Sequence, residues 1–99
     1  MRIIATKNLI GDAQKYPGLL PVIASWCQVV KNINWQNLEE VKQNYASAEA
    51  VGDFTVFNIK GNQYRLIVGI NYTKQIIYYK YLLTHAEYDK GRWKNDPYF

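Results

Sequence analysis

Apolar residues recur at helical spacing in the first half of the chain and at strand spacing in the second half. Leu19, Ile23, Trp26 and Val30 follow one another at intervals of three or four positions, which predicts a helix with one buried face. Strands are predicted over residues 54–59, 64–70 and 75–83, joined by short turns. This order predicts an α+β domain in which an N-terminal strand and helices pack on one face of an antiparallel β-sheet.

Three polar residues are placed to begin helices. Thr6 follows a short β-branched segment, RIIA, and is expected to cap a helix that begins near Lys7. Asn37 is expected to cap a short helix that carries two glutamates in its first turn. Thr84 is expected to cap one helical turn directly after the last strand.

Length and composition narrow the classes of protein further. With 99 residues, of which 48% are hydrophobic, the chain is expected to form one domain over residues 1–99. We find no apolar run of membrane-spanning length and no signal-peptide core, so a cytoplasmic protein without a membrane partner is expected. Cys27 and His85 are the only residues of their kinds, so we predict no disulfide framework, no Cys/His metal site and no cofactor.

The excess of positive over negative charge lies in the C-terminal part of the chain. Residues 60–99 contain seven basic side chains and three acidic ones, which accounts for the whole net charge of +4. An anionic partner such as a phosphate backbone is one interpretation of this asymmetry, and ordinary solubility is the other.

Arg65 is one candidate for contacting such an anion. Strand alternation places Arg65 on the side opposite Tyr64 and Leu66, and Lys60 lies in the turn that precedes the strand. A tight hairpin is expected to hold both cations over one end of the sheet, where they require an anion or solvent. The competing interpretation is a pair of solvated surface cations.

A second candidate group follows the last strand, in the stretch THAEYDK. In one helical turn, His85, Tyr88 and Asp89 share a face, because they lie three and four positions apart. RNA cleavage by acid–base chemistry needs a base for the 2′-hydroxyl, cations for the charged phosphorane and an acid for the leaving oxygen. Histidine titrates closer to neutral pH than any other side chain and suits either proton transfer. The alternative is that His85 only caps the strand and packs beneath the C-terminal residues.

Aromatic residues offer weaker support for binding RNA. Tyr78, Tyr79 and Tyr81 lie on the third predicted strand, so one or two of them are expected on the open face, where phenol rings stack on unpaired bases. Trp93 is expected to anchor the C-terminal tail.

Two separated motifs resemble one known family. The segment FTVFNIKGNQYRLIV at residues 54–68 and THAEYDK at residues 84–90 are similar to the HigB family of bacterial type II toxins, within the RelE-like endoribonucleases. The resemblance extends to RII, WCQVVKN, NWQNLEEVKQNY and KGRWKN. It implies a RelE-like fold and a toxin that needs no metal, enters the ribosomal A site and cuts mRNA. It also implies a cognate HigA-type antitoxin as partner.

The resemblance also suggests roles for individual residues. His85 is the candidate general base or acid, Tyr88 a proton donor or stacking group, and Lys60 with Arg65 the candidates for stabilising the transition state. Asp89 is expected to orient His85 or to bind RNA, and Lys90 is expected to hold the RNA backbone. Asn62 and Lys80 complete the candidate RNA-binding residues. Asn62 also fits a plain turn residue, and Tyr64 fits a core residue. The remaining alternatives are a non-catalytic RNA- or ribosome-binding module and a degraded toxin that only binds antitoxin.

Overall fold

The computed structural model describes residues 1–99, with helices in the first half and most strands in the second. Strand β1 (Arg2–Ile4) precedes helices α1 (Thr6–Ala13), α2 (Leu19–Lys31) and α3 (Leu38–Asn44). Strands β2 (Glu49–Val51), β3 (Phe54–Ile59), β4 (Tyr64–Asn71) and β5 (Ile76–Thr84) follow, and helix α4 (His85–Lys90) and a 3₁₀ turn (Arg92–Asn95) come last. The predicted α+β class is confirmed.

The five strands form one sheet in the order β1-β5-β4-β3-β2. Strands β2 to β5 pair with their neighbours in antiparallel fashion, as a meander requires, and β1 pairs with β5 in parallel. The parallel pair is possible because the intervening helices and strands return the chain to the same end of the sheet. Strand β2 was not predicted, since its three residues, EAV, are too short to show alternation.

The main core lies between the sheet and helices α1 to α3. Phe57 and Leu66 project from the sheet into this layer, where Trp26 of α2 meets Phe57 edge-to-face at a centroid distance of 5.4 Å. Cys27 is also buried there, and burial raises the pKa of its thiol. None of the helices has both the length and the apolar content needed to cross a bilayer.

The opposite face of the sheet carries a second, smaller cluster. Phe54 and Ile67 from the sheet pack there with Trp93, whose ring meets that of Phe99 at 5.3 Å. Trp93 thus anchors the C-terminal residues, as predicted. The tail covers part of this face and leaves the rest open. We call this side of the sheet the tail face.

An extra residue in β5 decides which tyrosines reach the tail face. Ile67 pairs with Tyr81 and Val68 pairs with Tyr79, so Lys80 has no partner in β4 and forms a bulge. Tyr79 consequently packs with the main core, whereas Tyr81 packs with the second cluster. Lys80 also lies on the tail face, where its ammonium nitrogen is 5.6 Å from the centroid of the Phe54 ring.

Two of the three predicted helix caps are confirmed. The side chain of Asn37 accepts a hydrogen bond from the Glu40 amide, and Thr84 accepts one from the Glu87 amide in a capping box. The prediction for Thr6 was wrong, because the helix already includes Thr6 and its cap position is Ala5, with φ of 71°. The Thr6 hydroxyl instead donates to the Ile3 carbonyl.

Candidate active site

The turn between β3 and β4 joins the two motifs that the sequence singles out. The Asn62 carbonyl accepts a hydrogen bond from the Arg65 guanidinium at 3.1 Å, and the neighbouring Gln63 carbonyl accepts one from the His85 amide at 3.0 Å. Adjacent carbonyls of one turn therefore hold the Arg65 side chain and the first residue of α4. The segments KGNQYR and THAEYDK form one site, although eighteen residues of strand and turn separate them.

Arg65 is the central cation of this site, and no carboxylate balances it. Arg65 is 8% exposed, and its guanidinium donates hydrogen bonds only to the carbonyls of Asn62 and Tyr64, each at 3.1 Å. None of the ion pairs in the structure includes it. A largely buried charge without a counter-ion is costly, so this position favours an anion from outside the chain.

Tyr88 forms the wall beside Arg65. Its ring centroid lies 5.4 Å from the central carbon of the guanidinium, and the ring also stacks on that of Trp93 at a centroid distance of 5.1 Å. Burial is the main cause that raises the pKa of the Tyr88 hydroxyl, and the Glu49 carboxylate raises it further, whereas Arg65 opposes the shift. The phenol is therefore protonated at neutral pH and available as a hydrogen-bond donor.

His85 and Asp89 form the predicted pair on helix α4. Nδ1 of His85 lies 2.8 Å from Oδ2 of Asp89, and the side chains are 49% and 59% exposed. Such an exposed pair adds little stability, but it orients the imidazole ring. In the neutral ring, donation from Nδ1 leaves Nε2 as an acceptor, which is the form that a general base requires.

Lys60 does not join Arg65, contrary to the prediction for the hairpin. Its backbone adopts a φ of 53°, which interrupts the strand alternation on which that prediction relied. Its ammonium group donates to the Pro17 carbonyl at 3.4 Å, in the loop that precedes α2. Lys60 therefore lies on the helix side of the sheet, and Arg65 lies on the tail face.

The other predicted residues are more scattered. Asn62 is a turn residue, since its side chain pairs with Asn58 at 3.3 Å and its carbonyl holds Arg65. Tyr64 packs with the main core against Tyr16, as expected. Lys90 is exposed at the end of α4, beside a shallow cleft bordered by Trp93.

Lys80 lies away from His85 and Arg65, in the middle of β5, whereas Arg65 pairs with Leu83 near the end of that strand. Its ammonium nitrogen is 4.5 Å from the centroid of the Tyr98 ring and 3.8 Å from an oxygen of Asp96. The same carboxylate accepts a hydrogen bond from the Tyr81 hydroxyl at 2.8 Å. The bulge at Lys80 makes this arrangement possible, because it places consecutive residues on one face.

Glu49 is a neighbour of the site that the sequence interpretation did not include. Its carboxylate is close enough to raise the pKa of Tyr88, although β2 and α4 are far apart in the chain. No local signal identifies it, because a three-residue edge strand has no readable pattern. No group of three or more His, Cys, Asp or Glu side chains is arranged to hold a metal ion.

The fold and the site together define a small α+β domain with a largely buried guanidinium that has no carboxylate partner and an exposed His–Asp pair on a short helix. Comparison with known families identifies it further. A family model described as "HigB_toxin, RelE-like toxic component of a toxin-antitoxin system" matches residues 21–91, a range that includes both site motifs. The chain belongs to this HigB toxin family, and the resemblance found in the sequence is confirmed.

Individual relatives are more distant but cover nearly the whole chain. The protein named "mRNA interferase HigB" from Escherichia coli O6:H1 (strain CFT073) is 28% identical over 93 residues, covering 91% of this chain and 90% of the relative. The "mRNA interferase toxin HigB" of Escherichia coli (strain K12) is 26% identical over 92 residues, covering 90% and 88%.

Proposed function

We propose that this protein is an mRNA interferase, the toxin of a type II toxin–antitoxin module. It cuts mRNA in the A site of translating ribosomes in the cytoplasm, and a cognate HigA-type antitoxin neutralises it. Family membership and the names of its relatives support this proposal. The single observation that carries it is Arg65, a largely buried guanidinium without a carboxylate partner, beside Tyr88 and the turn that holds His85.

Arg65 receives the scissile phosphate in this mechanism. Attack by the 2′-hydroxyl adds negative charge to the phosphorus centre, and a cation already in place stabilises that charge without reorganisation. The two carbonyls that hold the guanidinium orient it before substrate arrives. An incoming phosphate also supplies the missing counter-ion, so binding relieves the cost of burying Arg65.

His85 and Asp89 perform the proton transfer. Asp89 holds Nδ1 of the imidazole, and Nε2 takes the proton of the attacking 2′-hydroxyl. The carboxylate stabilises the protonated ring, which then gives this proton to the leaving 5′-oxygen, so that the bond from phosphorus to the 2′-oxygen forms as the bond to the 5′-oxygen breaks. Both side chains are exposed enough to meet a substrate that approaches from solvent.

Tyr88 positions the RNA and donates a hydrogen bond. Its phenol keeps its proton at neutral pH, since its pKa is raised, and it lies beside Arg65 on the same helix as His85 and Asp89. Lys90, at the end of α4, adds a phosphate contact at the rim. Lys60 is not assigned a role in this mechanism, because its ammonium group is directed to the Pro17 carbonyl.

The test is to express the chain alone and together with its antitoxin and to map the 5′ ends of cellular mRNA. Cuts at consistent codon positions within translated regions are expected for the wild type. They are expected to disappear with His85→Ala and with Arg65→Lys, which keeps the charge but loses the guanidinium geometry. Lys74→Ala, an exposed cation in the turn between β4 and β5, serves as the matched control.

Retained antitoxin binding confirms that each variant is folded. Undiminished cutting by both site variants would remove these residues from the mechanism. Intact mRNA with the wild-type protein, combined with salt-sensitive binding to ribosomes, would instead identify a non-catalytic binding module. If the wild-type protein neither cuts mRNA nor arrests growth, the chain is one that only binds antitoxin.

A further inference from the structure

A hollow on the tail face lies beyond the residues of the candidate active site. It has a volume of about 460 Å³ and is bordered by Phe54, Tyr78, Lys80 and Tyr98, with Gly69 as its floor. Tyr78 and Tyr98 are the large hydrophobic residues that remain exposed, at 40% and 71%. Both tyrosines border the same hollow. Their exposed rings give it an apolar surface that a flat apolar ligand would cover more favourably than water.

The hollow exists because β4 carries glycine at this position. A Cβ built on Gly69 meets its nearest neighbours, Phe54 and Tyr78, only at 4.0 Å, which is ordinary contact. Gly69 does not have a positive φ, and it pairs regularly with Tyr78. Neither packing nor backbone conformation requires a glycine here, and glycine weakens a strand interior. Such a residue is typical of a place where a ligand approaches the backbone closely.

We propose that this hollow is a base-binding subsite for single-stranded RNA. The inference rests on the proposed function, because it states where a base of that RNA substrate is held. Gly69 and Arg65 lie on the same side of β4, four residues and about 14 Å apart. An RNA chain whose scissile phosphate lies at Arg65 therefore reaches the hollow with a nucleotide a few positions along the chain from that phosphate.

The groups around the hollow match the parts of a nucleotide. The phenol rings of Tyr78 and Tyr98 supply stacking surfaces. Lys80 supplies a cation for phosphate, and its contact with Asp96 is loose at 3.8 Å, since that carboxylate already accepts hydrogen bonds from Tyr81 and the Tyr98 amide.

The edge of a base also finds partners at the rim. The side-chain oxygen of Asn71 accepts a hydrogen bond from the Lys74 amide, which leaves its NH₂ group to donate. The carboxylate of Asp53 lies at the same rim and accepts from an exocyclic amine or ring N–H. This combination of stacking, cation and hydrogen-bonding groups favours a nucleobase over an aliphatic peptide segment.

The test measures binding of a fluorescent 2′-O-methyl oligoribonucleotide, which lacks the attacking hydroxyl and so cannot be cut by this mechanism. Tyr78→Ala is expected to weaken binding roughly 5- to 100-fold, and Tyr78→Phe, which keeps the ring, by less than about twofold. Gly69→Val fills the hollow and is expected to weaken binding while the unfolding midpoint stays equal or rises. Gly11→Ala is the matched glycine control, since its site is open.

Three results would overturn the inference. The first is equal RNA affinity for wild type, Tyr78→Ala and Gly69→Val, and the second is a loss of affinity that merely follows a loss of stability. The third is an NMR spectrum in which the antitoxin, but not RNA, shifts the Gly69 amide signal, which identifies a protein-docking groove. Failure of the subsite remains distinct from failure of the function. If RNA binds through the hollow but mRNA is not cut, the subsite is supported and the proposed function is not. If mRNA is cut but Tyr78→Ala binds RNA as tightly as the wild type, the function is supported and the subsite is not.

Discussion

Replacement of Arg65 by methionine separates a functional charge from a structural one. The guanidinium is largely buried, its hydrogen-bond partners are two carbonyls, and no carboxylate loses a partner when the charge is removed. Methionine has an unbranched side chain that can occupy the same channel beside Tyr88. We therefore expect Arg65→Met to remain folded and to lose most of its mRNA-cutting activity.

The expected change in stability follows from terms of similar size. Two hydrogen bonds are lost at about 1 kcal/mol each, together with about 1–2 kcal/mol for the largely buried contact between the guanidinium and the Tyr88 ring. Burial of the methionine side chain returns about 1.5–3 kcal/mol, and the cost of desolvating the charge disappears. The free energy of unfolding is thus expected to change by about 1 kcal/mol or less.

Urea unfolding and mRNA cutting, measured on the same preparations, provide the assay. Loss of a preorganised charge-stabilising group is expected to slow cutting roughly 100- to 1,000-fold. Arg2→Met, which alters an exposed arginine in β1, is the matched control and is expected to change neither quantity. A destabilisation above about 3 kcal/mol would refute our account, because it would show that Arg65 stabilises the fold. Normal cutting by a folded Arg65→Met protein would refute its assignment to the site.

Three further predictions concern the groups around this site and the stability of the domain. Asp89→Asn is expected to slow cutting about 10- to 100-fold, because His85 loses the carboxylate that orients its ring; an unchanged cutting rate would argue against the pair. Tyr79→Phe removes the hydroxyl that donates to Asp12 at 2.6 Å and is the main cause of that carboxyl group's lowered pKa. A lowered pKa stabilises the fold above the unfolded value near pH 4 and loses this effect as the pH falls further, so the difference between wild type and variant should shrink in acid unfolding; a constant difference would contradict it. Thr84→Ala removes the cap of α4 and is expected to cost about 1 kcal/mol in urea unfolding, with no loss if the cap is unimportant.

Local patterns account for the parts of the structure that the sequence predicted. The stripe of apolar residues in α2, the alternation in β4 and the caps at Asn37 and Thr84 all depend on neighbours within a few positions. Arg65 was therefore placed on the correct side of the sheet. The prediction for Thr6 failed because its hydroxyl bonds to the Ile3 carbonyl, a competing local contact that the residue type does not reveal.

Errors arose where geometry outside a regular element decides direction. The φ of 53° at Lys60 turns its side chain toward the Pro17 loop, and the bulge at Lys80 changes the alternation of β5. Coverage of the tail face by Trp93 also depends on a segment without strand or α-helix periodicity. Each feature involves a single residue or a distant contact, to which periodicity is insensitive.

The sequence by itself determined the α+β class, the pairing of His85 with Asp89 and the family to which the chain belongs, because these follow from short-range spacing and from motif identity. Tertiary structure alone decided that Arg65 is buried without a carboxylate partner and that Gly69 forms the floor of a hollow between aromatic rings. Those properties depend on which side chains from distant segments are absent, as well as on which are present. A linear pattern does not report such absences, whereas packing in three dimensions does.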